Sequence, residues 1–189
     1  PKPQNPNSTK KINLKSVLLT AFAVSLSVFT YGQVDHSKMK MTHDKGGVMK
    51  QKEMAVMLND ANLNKAYMHY TIIKEAMFKG DAKKVQMMSD MLVSILHTYG
   101  KAADALNISV ALAKADEIKA QRKLFADLTV AFEPLLKGNI SKGTIYKDFC
   151  PMANGSGSYW FSNAEKIVNP YFSGGMPGCG SVKETFKSI

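Results

Sequence analysis

At 189 residues, with 45% apolar residues and a formal net charge of +10, the chain has the size of one ordinary domain and enough apolar residues to bury a core. Its lysines are scattered along helix-like stretches and are not clustered with aromatics, so they read as solvated faces and exclude a nucleic-acid-binding stripe. With no Cys-x-x-Cys pair, no histidine beside either cysteine in sequence and no Gly-rich phosphate loop, the residues point away from an enzyme.

In chain order, Lys10, Lys11 and Lys15 precede an apolar run over residues 17–29, which ends in Thr30-Tyr31-Gly32-Gln33. This pattern reads as a secretory signal. The run is about a dozen residues long, short of the ~20 that a membrane-spanning helix needs, and small residues come after it. Cleavage is expected near Gly32, giving a periplasmic chain with no membrane span. No cysteine lies just after the cut, so a lipoprotein anchor is not indicated. Residues 1–9 read as a polar extension, and 1–32 are set aside from fold reasoning. Removing Lys2, Lys10, Lys11 and Lys15, with no acids among them, takes the net charge from +10 to +6.

Residues 33–52 have neither helical nor strand periodicity and are expected to form a disordered arm. Within it, His36-x-x-Met39-x-Met41-x-His43 puts imidazole and thioether donors within one loop's reach of a single ion. Lys38, Lys40 and Lys45 oppose a cation there, and a flexible arm must be ordered to bind. A weak metal-capturing arm and a plain linker both fit this composition.

From about residue 53 to 137 the pattern is helical. Leu63, Tyr67, Tyr70, Ile73 and Met77 recur at three- and four-residue steps up to Gly80, and Asp81 can cap a second helix carrying Val85, Met88, Leu92, Ile95 and Tyr99 up to Gly100. A third, Ala-rich helix spans Ala102 to Leu112 with an interruption at 107–109. Asp116 can cap a fourth, with Ile118, Phe125, Leu128, Phe132 and Leu135 on its apolar face and a late Pro134. Short connections make this a mainly α fold, an up-and-down antiparallel four-helix bundle. Met54, Met57, Met68, Met77, Met87, Met88 and Met91 read as adaptable core filling. His69 and His97 receive no role.

The bundle and the C-terminal segment are read as one domain, 53–189, whose character changes after Gly138. Residues 145–150 and 159–161 are β-prone around a Gly/Ser turn, a small β-hairpin within an otherwise irregular C-terminal segment, 138–189. One helical turn is expected over 162–167, before Asn169-Pro170, and loop from there to Gly180. This segment holds both cysteines of the chain, each with a thioether nearby: Cys150-Pro151-Met152 and Met176-Pro177-Gly178-Cys179. Thiolate and thioether donors suit Cu(I) or Ag(I).

The run Tyr146-Lys147-Asp148-Phe149-Cys150-Pro151-Met152-Ala153, then Gly157-Ser158-Tyr159-Trp160-Phe161-Ser162, Ile167-Val168-Asn169-Pro170-Tyr171-Phe172, Met176 and Cys179-Gly180-Ser181-Val182-Lys183-Glu184-Thr185 resembles an uncharacterised domain family. That family occurs as exported proteins and as an extra domain on periplasmic adaptor subunits of copper and silver efflux pumps. The resemblance runs from about residue 58 to 186 and includes Gln121-Arg122-x-x-Phe125. It implies a site at Cys150, Met152, Met176 and Cys179, and an efflux adaptor as a partner. The chain departs from the family at Ser173-Gly174-Gly175 and at Pro177-Gly178, which alters loop stiffness and leaves all four sulfurs in place.

Three readings of the cysteines stand side by side. In an oxidising envelope two cysteines usually pair, and a disulfide closing a loop of about 30 residues stabilises by roughly 3 to 4 kcal/mol. That staple would suit a structural module docking an efflux adaptor. A mixed sulfur site for Cu(I) or Ag(I) also accounts for the two methionines, and Trp160 could face such an ion or anchor the hairpin. A labile bridge would serve thiol-disulfide exchange.

Overall fold

Asp60 starts the first helix by turning its carboxylate back on the chain: Oδ1 accepts from the N–H groups of Asn62 and Leu63 at 2.8 and 2.9 Å, satisfying donors that a helix leaves orphaned at its N-terminus. The computed structural model describes residues 56–172 and 175–188, which lie in one unit, Val48–Ile189. The expected signal segment and the His36, Met39, Met41, His43 arm fall outside the described residues.

Helix α1 (Ala61–Lys79) closes at Gly80, and α2 (Ala82–Tyr99) closes at Gly100, both glycines in the left-handed conformation that ends helices. Asp81 caps α2 by accepting from the Lys84 N–H at 3.0 Å. Helix α3 (Ala103–Lys114) runs unbroken through the expected interruption, because the Ser109 hydroxyl donates to the Ala105 carbonyl at 2.7 Å and keeps its polar group within the helix. Helix α4 (Ile118–Leu136) begins after Glu117, one residue later than an Asp116 cap would set it, and has no side-chain cap. Gln121 anchors this end in another way, since its Nε2 donates to the carbonyls of Ala82 and Ala115 at 2.9 and 2.7 Å. It thereby ties the start of α4 to the start of α2.

Consecutive helices pack on each other, and α1 also meets α4. Their apolar faces bury Leu63, Ile73, Met77, Leu92, Leu112 and Leu128 completely. Tyr70 sits among the rings of Phe125, Phe132 and Phe161 at 4.9, 5.2 and 5.9 Å. Its hydroxyl pairs with Thr129 Oγ1 at 2.7 Å and accepts from the Phe161 N–H at 3.1 Å. Burial raises its pKa above the usual tyrosine value, so the ring stays neutral while it joins helices to sheet. No described helix is long and apolar enough to cross a membrane.

Two small antiparallel sheets complete the fold. Strand β1 (Met57–Leu58) pairs with β2 (Ile140–Lys142), a strand where helical periodicity was expected. In the second sheet β3 (Thr144–Cys150) is central, with β4 (Ser158–Ser162) on one side and β5 (Ser181–Lys187) on the other. The β3–β4 register pairs Asp148 with Trp160 and Cys150 with Ser158. Strand β5 was expected to be irregular. It carries only Val182 and Phe186 as apolar residues, so its pairing with β3 is decided by residues far away in sequence. The helical turn expected over 162–167 does not form: Ser162 belongs to β4, and its Oγ accepts from the Ala164 N–H at 3.3 Å.

Candidate functional site

Cys150 is the last residue of the central strand and fully buried, whereas Cys179 is half-buried just before β5. Because Phe149 stands opposite Ser181 in the β3–β5 ladder, the end of β3 meets the approach to β5. The two sulfurs are 2.9 Å apart, and either thiol can donate to the other. That contact, followed by burial and by the Cys150 charge, raises the Cys179 pKa above the ordinary thiol value.

The backbone on either side of the thiol pair places the two methionines by two local devices. Residues 176–179 form a β-turn in which the Cys179 N–H donates to the Met176 carbonyl at 3.2 Å. Pro177 and Gly178 occupy its two central positions, where a proline presets φ and a glycine is tolerated in any conformation. Met176 and Cys179 are therefore the ends of one turn, with Cα atoms within about 7 Å of each other. Met152 comes two residues after Cys150 and leads into a 3-10 turn, Ala153–Gly155. Both methionines are open to solvent, Met152 by 52% and Met176 by 43%. A three-bond thioether side chain at either place is free to swing.

Asn169 organises the segment between these devices. It is fully buried, its N–H donates to the Pro177 carbonyl at 2.9 Å, and its Nδ2 donates to the Cys179 carbonyl at 2.8 Å. Its Oδ1 accepts from the Tyr171 N–H at 2.9 Å. Arg122 on α4 donates to the Pro170 carbonyl and to the Met77 carbonyl, each at 3.2 Å. The Tyr171 hydroxyl donates to the Tyr159 carbonyl at 2.6 Å. The sequence marked Asn169-Pro170 as a breaker and gave Asn169 no further part. An asparagine can serve three backbone groups at once, but nothing local reveals which groups will be within reach.

Trp160 is fully buried and meets the Tyr171 ring edge-on at 6.0 Å, which makes it a core anchor. Gly180 lets it close down. A Cβ at that glycine would stand 2.8 Å from the Trp160 ring and 2.9 Å from the Phe149 carbonyl oxygen, at a φ of +136°. Asp148, two residues before Cys150, is also fully buried, and neither carboxyl oxygen has a hydrogen-bond partner. Burial pushes its pKa from 3.8 up to about 7, against the opposing pull of the Lys74 charge. Neither Asp148 nor Lys74 was singled out by the sequence.

Among the described residues no group of three or more His, Cys, Asp or Glu side chains is placed to hold an ion. His69 is buried with Nδ1 3.0 Å from the Lys65 carbonyl, and His97 is exposed. An open groove of about 320 Å³ lies between α4 and the 153–159 segment, lined by Lys123, Asp127, Val130, Asn154 and Tyr159. It contains none of the four sulfurs.

By its fold the chain is a mainly α protein with two small antiparallel sheets. It matches no family model, no curated protein and no solved structure.

Proposed function

We propose that this is an exported, non-enzymatic protein that captures Cu(I) or Ag(I) in the periplasm through Cys150, Met152, Met176 and Cys179 in their reduced form, and holds the ion or passes it to an efflux system. The observation that carries the reading is the convergence of two thiols, at 2.9 Å, from segments that each bring an exposed thioether. Soft donors of this kind select soft ions. The motif resemblance to domains fused to copper and silver efflux adaptors supports the same reading and supplies the partner. The four helices, packed in consecutive pairs, serve in it as an up-and-down bundle that carries the β3–β4 hairpin and its sulfurs. The His36, Met39, Met41, His43 arm is a second, weaker place of capture.

A specific observation favours a disulfide staple as the second reading. Two thiolates on one ion at ~2.3 Å each sit about 3.8 Å apart or more, so the sulfurs must separate by roughly 1 Å to share a metal. Closing to a disulfide at ~2.05 Å is a movement of similar size. Thiol-disulfide exchange is less favoured, because Cys150 is fully buried and the chain has no Cys-x-x-Cys pair.

Competition of reduced protein against a chromogenic Cu(I) chelator tests the proposal. Wild type should withdraw Cu(I), and more strongly as pH rises, since the thiols release protons on binding. The Cys150→Ser/Cys179→Ser protein should lose this ability; if it competes as well as wild type, the site is wrong. Since Cys150 is buried, Met152→Leu/Met176→Leu gives a parallel test on exposed positions and should weaken binding while leaving the fold intact. Removing residues up to Met49 tests the arm separately. Intact mass of protein taken straight from the envelope reads the thiol state: a fully oxidised protein that accepts no Cu(I) supports the staple.

A further inference from the structure

Methionine is ordinarily among the residues most often buried, and the bundle methionines were expected to fill the core. Only Met77 does so completely. Of the eight methionines among the described residues, Met57, Met68, Met87, Met91, Met152 and Met176 are exposed. Core filling therefore cannot explain them, and four lie on other elements than the cysteines.

We infer that two of these four, Met87 and Met91 on α2, form a second binding site for a soft monovalent cation such as Ag(I) or Cu(I), independent of the cysteine site. They are 56% and 48% exposed and stand four residues apart on the face of α2 opposite the buried Val85, Ser89, Leu92 and Leu96. That spacing puts their Cβ atoms about 6 Å apart on adjacent turns. Two flexible side chains, each with three rotatable bonds, can close both sulfurs on one ion from there. Soft ions accept thioethers, which carry no proton to be displaced. The surroundings favour this use over protein docking. Along the same face run Lys83, Ser94 and Thr98, all exposed, and half-buried Met88 and Ile95 lie on one edge beside Met91, so the two thioethers do not extend into a broad greasy patch. Exposed Asp90, three residues after Met87, brings one negative charge beside the pair, against Lys83 and Lys84 a turn before it.

The full chain labelled with ¹³C-methyl methionine, reduced and in chloride-free buffer, is titrated with Ag(I) and monitored through its methyl resonances. The Met87 and Met91 signals should move together along one binding curve. Met68, a lone exposed thioether on α1, should respond only at about tenfold or more higher Ag(I), because a second donor on the same helix raises the effective concentration. Buried Met77 should stay still. In Met91→Leu, an exposed swap of similar volume, the Met87 signal should fall back to the Met68 range. If Met87 titrates with Met68 in wild type, or if Met91→Leu leaves the Met87 curve unchanged, the site does not exist. The Met152 and Met176 signals report the cysteine site in the same spectra, so each site can fail without the other.

Discussion

The helical and C-terminal parts of the chain are held by different kinds of information. In α1 and α2 every boundary is set within a few residues of itself: Asp60 and Asp81 cap the starts, Gly80 and Gly100 the ends. Around the sulfurs the turns at 176–179 and 153–155 are local, but what brings the two thiols together is not. Cys150 and Cys179 meet because β5 pairs with β3, Asn169 ties its segment to Pro177 and Cys179, and Arg122 reaches from α4 to Pro170. Damage to the first part should therefore be graded and confined, whereas damage to the second should spread through several contacts at once.

The sharpest test of that contrast is Gly180→Val. It places a branched side chain against the Phe149 backbone at a φ of +136°, and should cost about 3 to 4 kcal/mol in thermal or urea unfolding. A loss below about 1 kcal/mol would mean that the approach of β5 to β3 is not fixed as described. Next is Asn169→Ala, which removes one donor and one acceptor from buried backbone partners. It should cost about 2 to 3 kcal/mol and weaken Cu(I) competition by freeing the 176–179 turn. Unaltered Cu(I) affinity would separate the loop's order from the sulfur site.

Asp148 gives a test by pH. With its pKa at about 7 in the fold against 3.8 unfolded, the folded state keeps a proton that the unfolded chain has released. Its contribution to stability is therefore greatest below about pH 4, falls as pH rises toward 7, and is flat above that. The drop should be on the order of 2 kcal/mol between pH 5 and 8, and Asp148→Asn should flatten it. An unchanged slope in that variant would assign the pH dependence elsewhere. The smallest effect belongs to the helical side: Asp81→Ala removes one cap bond and should cost about 1 kcal/mol, with no change in Cu(I) competition.

The same contrast explains how much could be read beforehand. Leu63 to Met77 and Val85 to Tyr99 were legible because a 3.6-residue period and a cap are both local signals. The β-prone stretches at 145–150 and 159–161 were legible for the same reason, being rich in aromatic residues. Strand β5 was not, because Ser181–Lys187 is mostly polar and acquires its order only from β3. The four sulfur residues were legible as chemistry, since a thioether two or three positions from a thiol needs no fold to be noticed. The contacts that bring the two cysteines together were hidden: the buried Asn169 and the Arg122 tie look like ordinary polar residues until their partners arrive. Methionine at helical spacing misled in the opposite direction, because periodicity shows which residues share a face but not whether that face is covered.

The two cysteines are mounted differently. Cys150 ends a strand flanked on both sides and cannot shift without carrying the sheet, while Cys179 ends a short turn that leads into an edge strand. If the pair takes an ion as proposed, the widening of its gap falls to the Cys179 side, which is held by the two Asn169 bonds to Pro177 and Cys179 and not by a central strand, and Met176, at the other end of the same turn, would travel with it.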